Sequence, residues 1–174
     1  MTPEKGLTLV ALFKVEGFYD GRCHANRIIQ KGEDHDNGVY TLGYDDLIYW
    51  NGYNCDQPVA TEFQNFYAAF GNNQYDGVGS RASEYVRKDK WYTLVYTFDP
   101  KTSVSKLYIN NKVPKETNVD FDFSYSPNSK DLYIGRMESD EFPYWFNGVI
   151  DEIRIYNSVL SPKEADFVYK SINN

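Results

Sequence analysis

The sequence predicts an all-β domain: a two-sheet antiparallel sandwich of jelly-roll type with one short C-terminal helix. Three observations carry this. The chain of 174 residues holds 16 Tyr, 11 Phe and 3 Trp, and these flat, stiff side chains pack well on pleated surfaces. Around ten short runs alternate apolar with polar residues between Gly, Asn and Asp turn signals, the period-two pattern of half-buried strands. Only near the C-terminus does the period change to about 3.6, the repeat of a helix.

Leu7 to Val15, LTLVALFKV, sets Leu9, Ala11, Phe13 and Val15 on one strongly apolar face and Thr8, Val10, Leu12 and Lys14 on a mixed one. NRIIQKG and VYTLGYD follow as two strands joined by GEDHDNG, where Asn37 and Gly38 supply the positive-φ residues of a hairpin turn. Residues 44–62 and 72–90 are polar and Gly-rich, and read as long loops around a strand at FQNFYAAFG. KWYTLVYTFD and SVSKLYIN are split by PKT, with Pro100 preset for a turn. Asn110 and Asn111 then offer two residues that tolerate left-handed backbone. DLYIGR and GVIDEIRIYN are the last strands. Ser161 is placed as an N-cap, Pro162 as the first helical residue and Glu164 as the partner in a capping box. Ala165, Val168, Tyr169 and Ile172 share one helical face. No internal repeat or linker divides the chain, so residues 1–174 are read as a single domain.

A net charge of −7 with scattered Lys and Arg argues against nucleic acid as a partner, because phosphate backbones would be repelled. No apolar run approaches the roughly 18 residues of a membrane span, so no membrane insertion is expected. MTPEKGLTLVALF has no apolar core ahead of a cleavage site. The chain is therefore either intracellular or a domain of a longer exported parent. Cys23 and Cys55 are either two buried free thiols or, in an exported chain, one bridge worth roughly 3–4 kcal/mol. Such a disulfide would pin the GYDDLIYWNGYN excursion.

The second half carries a recognisable order: WYTLVYTFDPKTSVSKLYINNK, then LYIGR, then FNGVIDEIRIYNSVLSPKEADFVY. This resembles the laminin-G-like branch of the concanavalin A-like lectin and glucanase superfamily, over about residues 6 to 172 and most tightly in the last third. The resemblance implies a jelly roll of two antiparallel sheets. It implies a module without chemistry of its own that binds sugars or proteins, often with a structural calcium ion. In that family an amphipathic strand usually precedes the TLVALF position, whereas here the chain begins only six residues earlier. An excised domain is expected.

Asp151 and Glu152 sit side by side in the last strand. Strict alternation puts Asp151 with Ile153 and Ile155 on one face and Glu152 with Ile150, Arg154 and Tyr156 on the other. Opposed carboxylates cannot grip one glycosidic bond, which needs two acids facing a common sugar at about 5–9.5 Å. The Glu-x-Asp-x-x-Glu pattern of the related glucanases is broken by Val149, so no catalytic residue is expected. A carboxylate turned to an apolar face must be satisfied by backbone N–H groups or by a cation. Asp151 is accordingly either a calcium ligand, as the resemblance implies, or a cap of loop N–H groups. Glu152 and Arg154 read as a solvated ion pair worth under about 1 kcal/mol.

GEDHDNG begins like a calcium loop but lacks the third oxygen ligand at the required place, and reads as a polar hairpin tip. His24 has no partner at zinc-ligand spacing and is assigned a local hydrogen bond. Sugar binding wants a flat aromatic face against the C–H side of a pyranose, beside a few polar groups. Trp50 and Tyr53 in YWNGYNC and Tyr144 and Trp145 in DEFPYWFNG offer that mixture, while Phe146 is expected to fold back over the sheet. The expected function is a carbohydrate-binding module of an exported or cell-surface protein. A protein-interaction or spacer domain is the alternative, and glycoside hydrolysis is a third reading that lacks its acid pair.

Overall fold

A computed structural model describes residues 5–32, 39–46, 62–71, 78–118 and 129–173. Ten strands run in chain order among them: β1 (Leu7–Val15), β2 (Asn26–Lys31), β3 (Val39–Asp45), β4 (Asn65–Gly71), β5 (Val78–Tyr85), β6 (Lys90–Asp99), β7 (Val104–Ile109), β8 (Lys115–Asn118), β9 (Leu132–Ile134) and β10 (Gly148–Tyr156). A 3-10 turn at Arg22–His24 precedes β2, and the helix α1 (Pro162–Ile172) ends the chain. The strands form two five-stranded antiparallel sheets, ordered β10-β1-β6-β7-β8 and β5-β4-β3-β2-β9. The expected all-β sandwich with one terminal helix is the observed fold.

The alternation of β1 explains its central place. Leu9, Ala11, Phe13 and Val15 enter the core between the sheets, where they meet Leu42, Phe66 and Phe70 of the second sheet. Its other face is buried too. Val10 lies with Val95 and Tyr108 under Ala165 and Val168 of α1. A strand that is apolar on both faces is thus covered on both faces.

The helix starts where its cap dictates. The Ser161 N–H donates to Glu164 Oε2 at 2.7 Å, and the Glu164 N–H donates to Ser161 Oγ at 3.4 Å. The Ser161 hydroxyl and N–H together hold the Glu164 carboxyl below the ordinary glutamate value. Asn110 and Asn111 both take positive φ, at 49° and 58°, as their turn requires.

Two strands lie where alternation predicts none. The segment 72–90, expected as a loop, contains β5, and Lys115–Asn118 forms the short β8. VGSRASEY and KETN hold too few apolar residues to show a period of two. Both lie at sheet edges, where main-chain hydrogen bonds to a single neighbour place a strand whatever its side chains.

The last strand corrects the reading of its acids. In the β1–β10 pairing Leu12 faces Glu152 and Phe13 faces Ile150, so Asp151 is the extra residue of a β-bulge. Ile150, and not Asp151, joins Ile153 and Ile155 against the core. The bulge turns Asp151 out to solvent.

Candidate functional site

The second sheet owes the polarity of its outward face to another bulge. Arg27 pairs with Gly43 and Ile29 with Leu42, so Ile28 is the additional residue on β2. Ile28 and Ile29 are both buried in the core, which leaves Arg27 and Gln30 pointing away from it. Gly43 permits this close approach: a Cβ there would fall 2.2 Å from the Asn26 carbonyl oxygen. Register then lays two rows across the outward face. One runs Tyr133, Gln30, Thr41, Ala69 and the other Arg27, Gly43, Tyr67.

Arg27 is 1% exposed. Its guanidinium carbon lies 5.1 Å from the Tyr67 ring centre and 4.7 Å from that of Tyr144. A buried cation between two ring faces gains from both ring quadrupoles. Beside it the buried Thr41 hydroxyl has no hydrogen-bond partner among the described residues. One end of the same sheet holds a buried polar knot in which His24 Nδ1 lies 3.0 Å from Asp46 Oδ2. His24 does take a hydrogen-bond partner, but not a local one: Asp46 stands 22 positions on, just past the end of β3.

The chain from Gly135 to Asn147 arches over this face. Gly135 N–H donates to the Ile28 carbonyl at 3.0 Å, Phe146 N–H to the Gly135 carbonyl at 2.9 Å, and Met137 N–H to the Pro143 carbonyl at 2.8 Å. These bonds close the loop at its base. Tyr144, at φ 47°, accepts a 3.0 Å hydrogen bond from Arg27 N–H on its carbonyl. Arg22 braces the outer part of the loop through an ion pair to Glu141 and a 4.9 Å approach to the Phe142 ring.

Three consecutive aromatics leave this loop in three directions. Tyr144 turns under it, packed with Cys23, Ala25 and Met137. Phe146 enters the main core, edge-on to Phe13 at 5.7 Å, as the sequence suggests. Trp145 faces solvent, 48% exposed. The Arg136 guanidinium carbon lies 4.4 Å from the Trp145 ring centre and 5.7 Å from that of Tyr133. Arg136 is fixed by hydrogen bonds from Nε to the Met137 carbonyl at 2.8 Å and from Nη2 to the Glu138 carbonyl at 3.3 Å. The result is a Trp145 platform backed by Arg136, with Tyr133 of β9 near the same guanidinium, at the border of the polar face. Such a surface offers an aromatic plane for the C–H side of a sugar ring and N–H donors for its hydroxyls.

The structure thus brings Tyr144 and Trp145 to one loop but gives them different surroundings. Trp50, Tyr53 and Cys55 lie outside the described residues. Cys23 is buried, and there is no free cysteine among the described residues. The burial argument for a metal at Asp151 does not hold, because the residue is exposed at the bulge. No group of three or more His, Cys, Asp or Glu that could hold a metal occurs among the described residues. Glu152 pairs with Arg154 at 2.9 Å, as expected. With Ile150 and Ile153 both against the core, Asp151 and Glu152 lie together on the outward side of the strand and not on the opposite faces that alternation predicts. Sequence reasoning misses Arg27, Gln30, Thr41, Tyr67 and Arg136. For Arg27 the signal was the doubled isoleucine of NRIIQ, which breaks alternation and marks the bulge; for Arg136 no pattern announces it.

A laminin G family model of the concanavalin A-like lectin/glucanases superfamily matches residues 4–166. The chain belongs to that family. No curated protein matches it. Among solved structures, this laminin G domain is similar to a protein of Bacteroides ovatus whose carbohydrate binding is itself inferred, at 21% identity and TM-score 0.65. The match covers 92% of this chain and 39% of that one, so the domain spans well under half of that relative. It is also similar to the CBM40 module of a Ruminococcus gnavus sialidase bound to α2,3-sialyllactose, at 14% identity and TM-score 0.68, covering 95% of this chain and 83% of that one. Domain 4 of an extracellular arabinanase from Geobacillus stearothermophilus, in complex with arabinotriose, matches at 19% identity and TM-score 0.62, covering 95% and 66%. At such identities the likeness is one of fold. No helix among the described residues is long and apolar enough to cross a membrane.

Proposed function

We propose that this laminin G domain is a carbohydrate-binding module of an exported or cell-surface protein, without catalytic chemistry of its own. The observation that carries the reading is the Trp145 platform: an exposed indole backed by the Arg136 guanidinium, beside a polar sheet face. Similar folds that hold sialyllactose and arabinotriose support it. Trp145 is the stacking residue. Tyr144, packed on Arg27, positions the loop and does not touch the sugar. Trp50 and Tyr53 complete the aromatic set in this reading. A disulfide between Cys23 and Cys55 belongs to it as well, since export would permit one.

A broad glycan array tests the proposal. The parent domain is expected to give a specific set of positive glycans, and Trp145→Ala to weaken them by about ten-fold or more, since base or sugar stacking on one aromatic is worth roughly 1–3 kcal/mol. Silence of the parent across the array would leave the spacer reading in its place. For the bridge, mass measurement without reductant is expected to find the intact chain about 2 Da lighter than after reduction, the loss of two hydrogen atoms (two protons and two electrons) on oxidising two thiols to one S–S bond. Equal masses would remove it.

A further inference from the structure

The first sheet carries a second concavity, on its outward face beside the start of α1. Its volume is 520 Å³, inside the roughly 300–1,000 Å³ range of small-ligand sites. Thr97 of β6 and Tyr108 of β7 form its floor, Asp99, Lys106 and Glu116 one side, and Val159, Leu160 and Pro162 the other. The walls are built before any ligand arrives. Thr8 Oγ1 donates to the Ser158 carbonyl at 2.7 Å and accepts from Leu160 N–H at 3.1 Å, which fixes the turn bearing Val159 and Leu160. Gly6 sits against the same turn, where a Cβ would fall 2.2 Å from Val159 Cγ2. Across the groove Lys106 Nζ and Glu116 Oε2 are paired at 2.8 Å.

Polar groups line the interior. Thr97 is 2% exposed and sets its side chain on the groove. The Asp99 carboxylate spends one oxygen on Lys101 N–H at 2.9 Å, within its own turn. Two carboxylates against one ammonium disfavour an anion. A wholly apolar ligand would desolvate Asp99 and the ion pair without replacing their water. A neutral ring with hydroxyls on its rim and an aliphatic face meets both constraints.

We propose that this groove is a second glycan subsite, which takes one neutral pyranose with its C–H face against Val159, Leu160 and Pro162. Its hydroxyls bond Thr97, Tyr108 and Asp99. The site does not rest on the Trp145 platform, which belongs to the other sheet, and together the two would make the domain bivalent.

The test is a titration of ¹⁵N-labelled protein with methyl β-D-galactopyranoside, methyl α-D-glucopyranoside and methyl α-D-mannopyranoside, each to about 20 mM, where single-sugar contacts saturate. At least one is expected to shift the amides of Thr97, Lys106, Tyr108 and Leu160. Those shifts should persist in Trp145→Ala and weaken about ten-fold in Thr97→Val, which removes a hydroxyl at constant shape. Tyr108→Phe serves the same purpose should Thr97→Val not fold. Overturning results are the absence of groove shifts with all three sugars, or shifts indifferent to both hydroxyl deletions. Shifts confined to the surroundings of Trp145 would overturn this subsite while leaving the proposed function standing.

Discussion

Phe13→Ala is expected to destabilise the domain by about 3–5 kcal/mol, the range for emptying a fully buried aromatic site. Phe13 is fully buried in the middle of β1, which pairs with β10 on one side and β6 on the other. Its ring meets Phe66 of the second sheet edge-on at 6.1 Å, Tyr92 of the first sheet stacked at 6.0 Å, and Phe146 edge-on at 5.7 Å. It therefore joins both sheets and the base of the Trp145 loop. Neighbours tied into two hydrogen-bonded sheets cannot collapse into the void, which places the cost in the upper part of that range. Urea unfolding should show the midpoint falling by roughly 2 M at unchanged slope, for a slope of about 2 kcal/mol/M. Phe13→Leu keeps most of the volume and should cost clearly less. A loss under about 1.5 kcal/mol for the alanine variant would mean that the ring cluster is not the rigid centre described here.

The elements that the sequence announces are those whose burial differs between faces. β1, β6 and β10 show alternation because one face enters the core, and α1 shows its cap because Ser161, Pro162 and Glu164 sit at the positions that helix ends select. β5 and β8 stay hidden because an edge strand can be held by main-chain bonds alone. The bulges are harder still. One extra residue in β10 reverses the facing of Ile150 and Asp151, and nothing in VIDEI distinguishes it from a regular strand. An argument from period alone therefore set Asp151 and Glu152 on opposite faces, whereas the bulge leaves both on the outward side, and with that facing fell the burial argument for calcium there.

For the candidate site the legible part was the aromatic run, and the illegible part was its sorting. PYWF gives three adjacent rings; which one faces solvent depends on the positive φ at Tyr144 and on cations brought from elsewhere in the sequence. Arg27 is 117 positions from Tyr144 in the chain and is delivered by the β2 bulge, whereas Arg136 comes from the end of β9, just beyond Gly135. A polar face on a sheet otherwise rich in Tyr and Phe is a long-range product, set by register, and no local window contains it.

Asn26→Asp should be at least as damaging at neutral pH as Asn26→Ala, despite its matching shape, because the amide is used in both senses. Asn26 Oδ1 accepts from Tyr19 N–H at 2.8 Å. Its Nδ2 faces three oxygens: Gln64 Oε1 at 2.9 Å, the His24 carbonyl at 3.3 Å and the Tyr44 carbonyl at 3.5 Å. Alanine leaves Tyr19 N–H and Gln64 Oε1 without their partner, at about 1–3 kcal/mol each, so a total of roughly 2–6 kcal/mol is expected. A carboxylate restores the Tyr19 bond but turns a second oxygen, and a charge, on three acceptors in a fully buried place. Burial raises the folded-state pKa of that new carboxyl above its unfolded value near 3.9. The sign then follows. The penalty is full above the raised folded-state value, fades as pH falls, and is absent below the unfolded value, where the protonated group can donate to Gln64. Relative to the parent, Asn26→Asp should recover on acidification from pH 7 toward about 4, while Asn26→Ala keeps a constant deficit. Parallel chemical unfolding of the three proteins across that range is the measurement. If the aspartate variant showed the same deficit at both ends, the hub could not be the buried donor described, and the join between the β1–β2 loop, the end of β3 and Gln64 would have to rest on other groups.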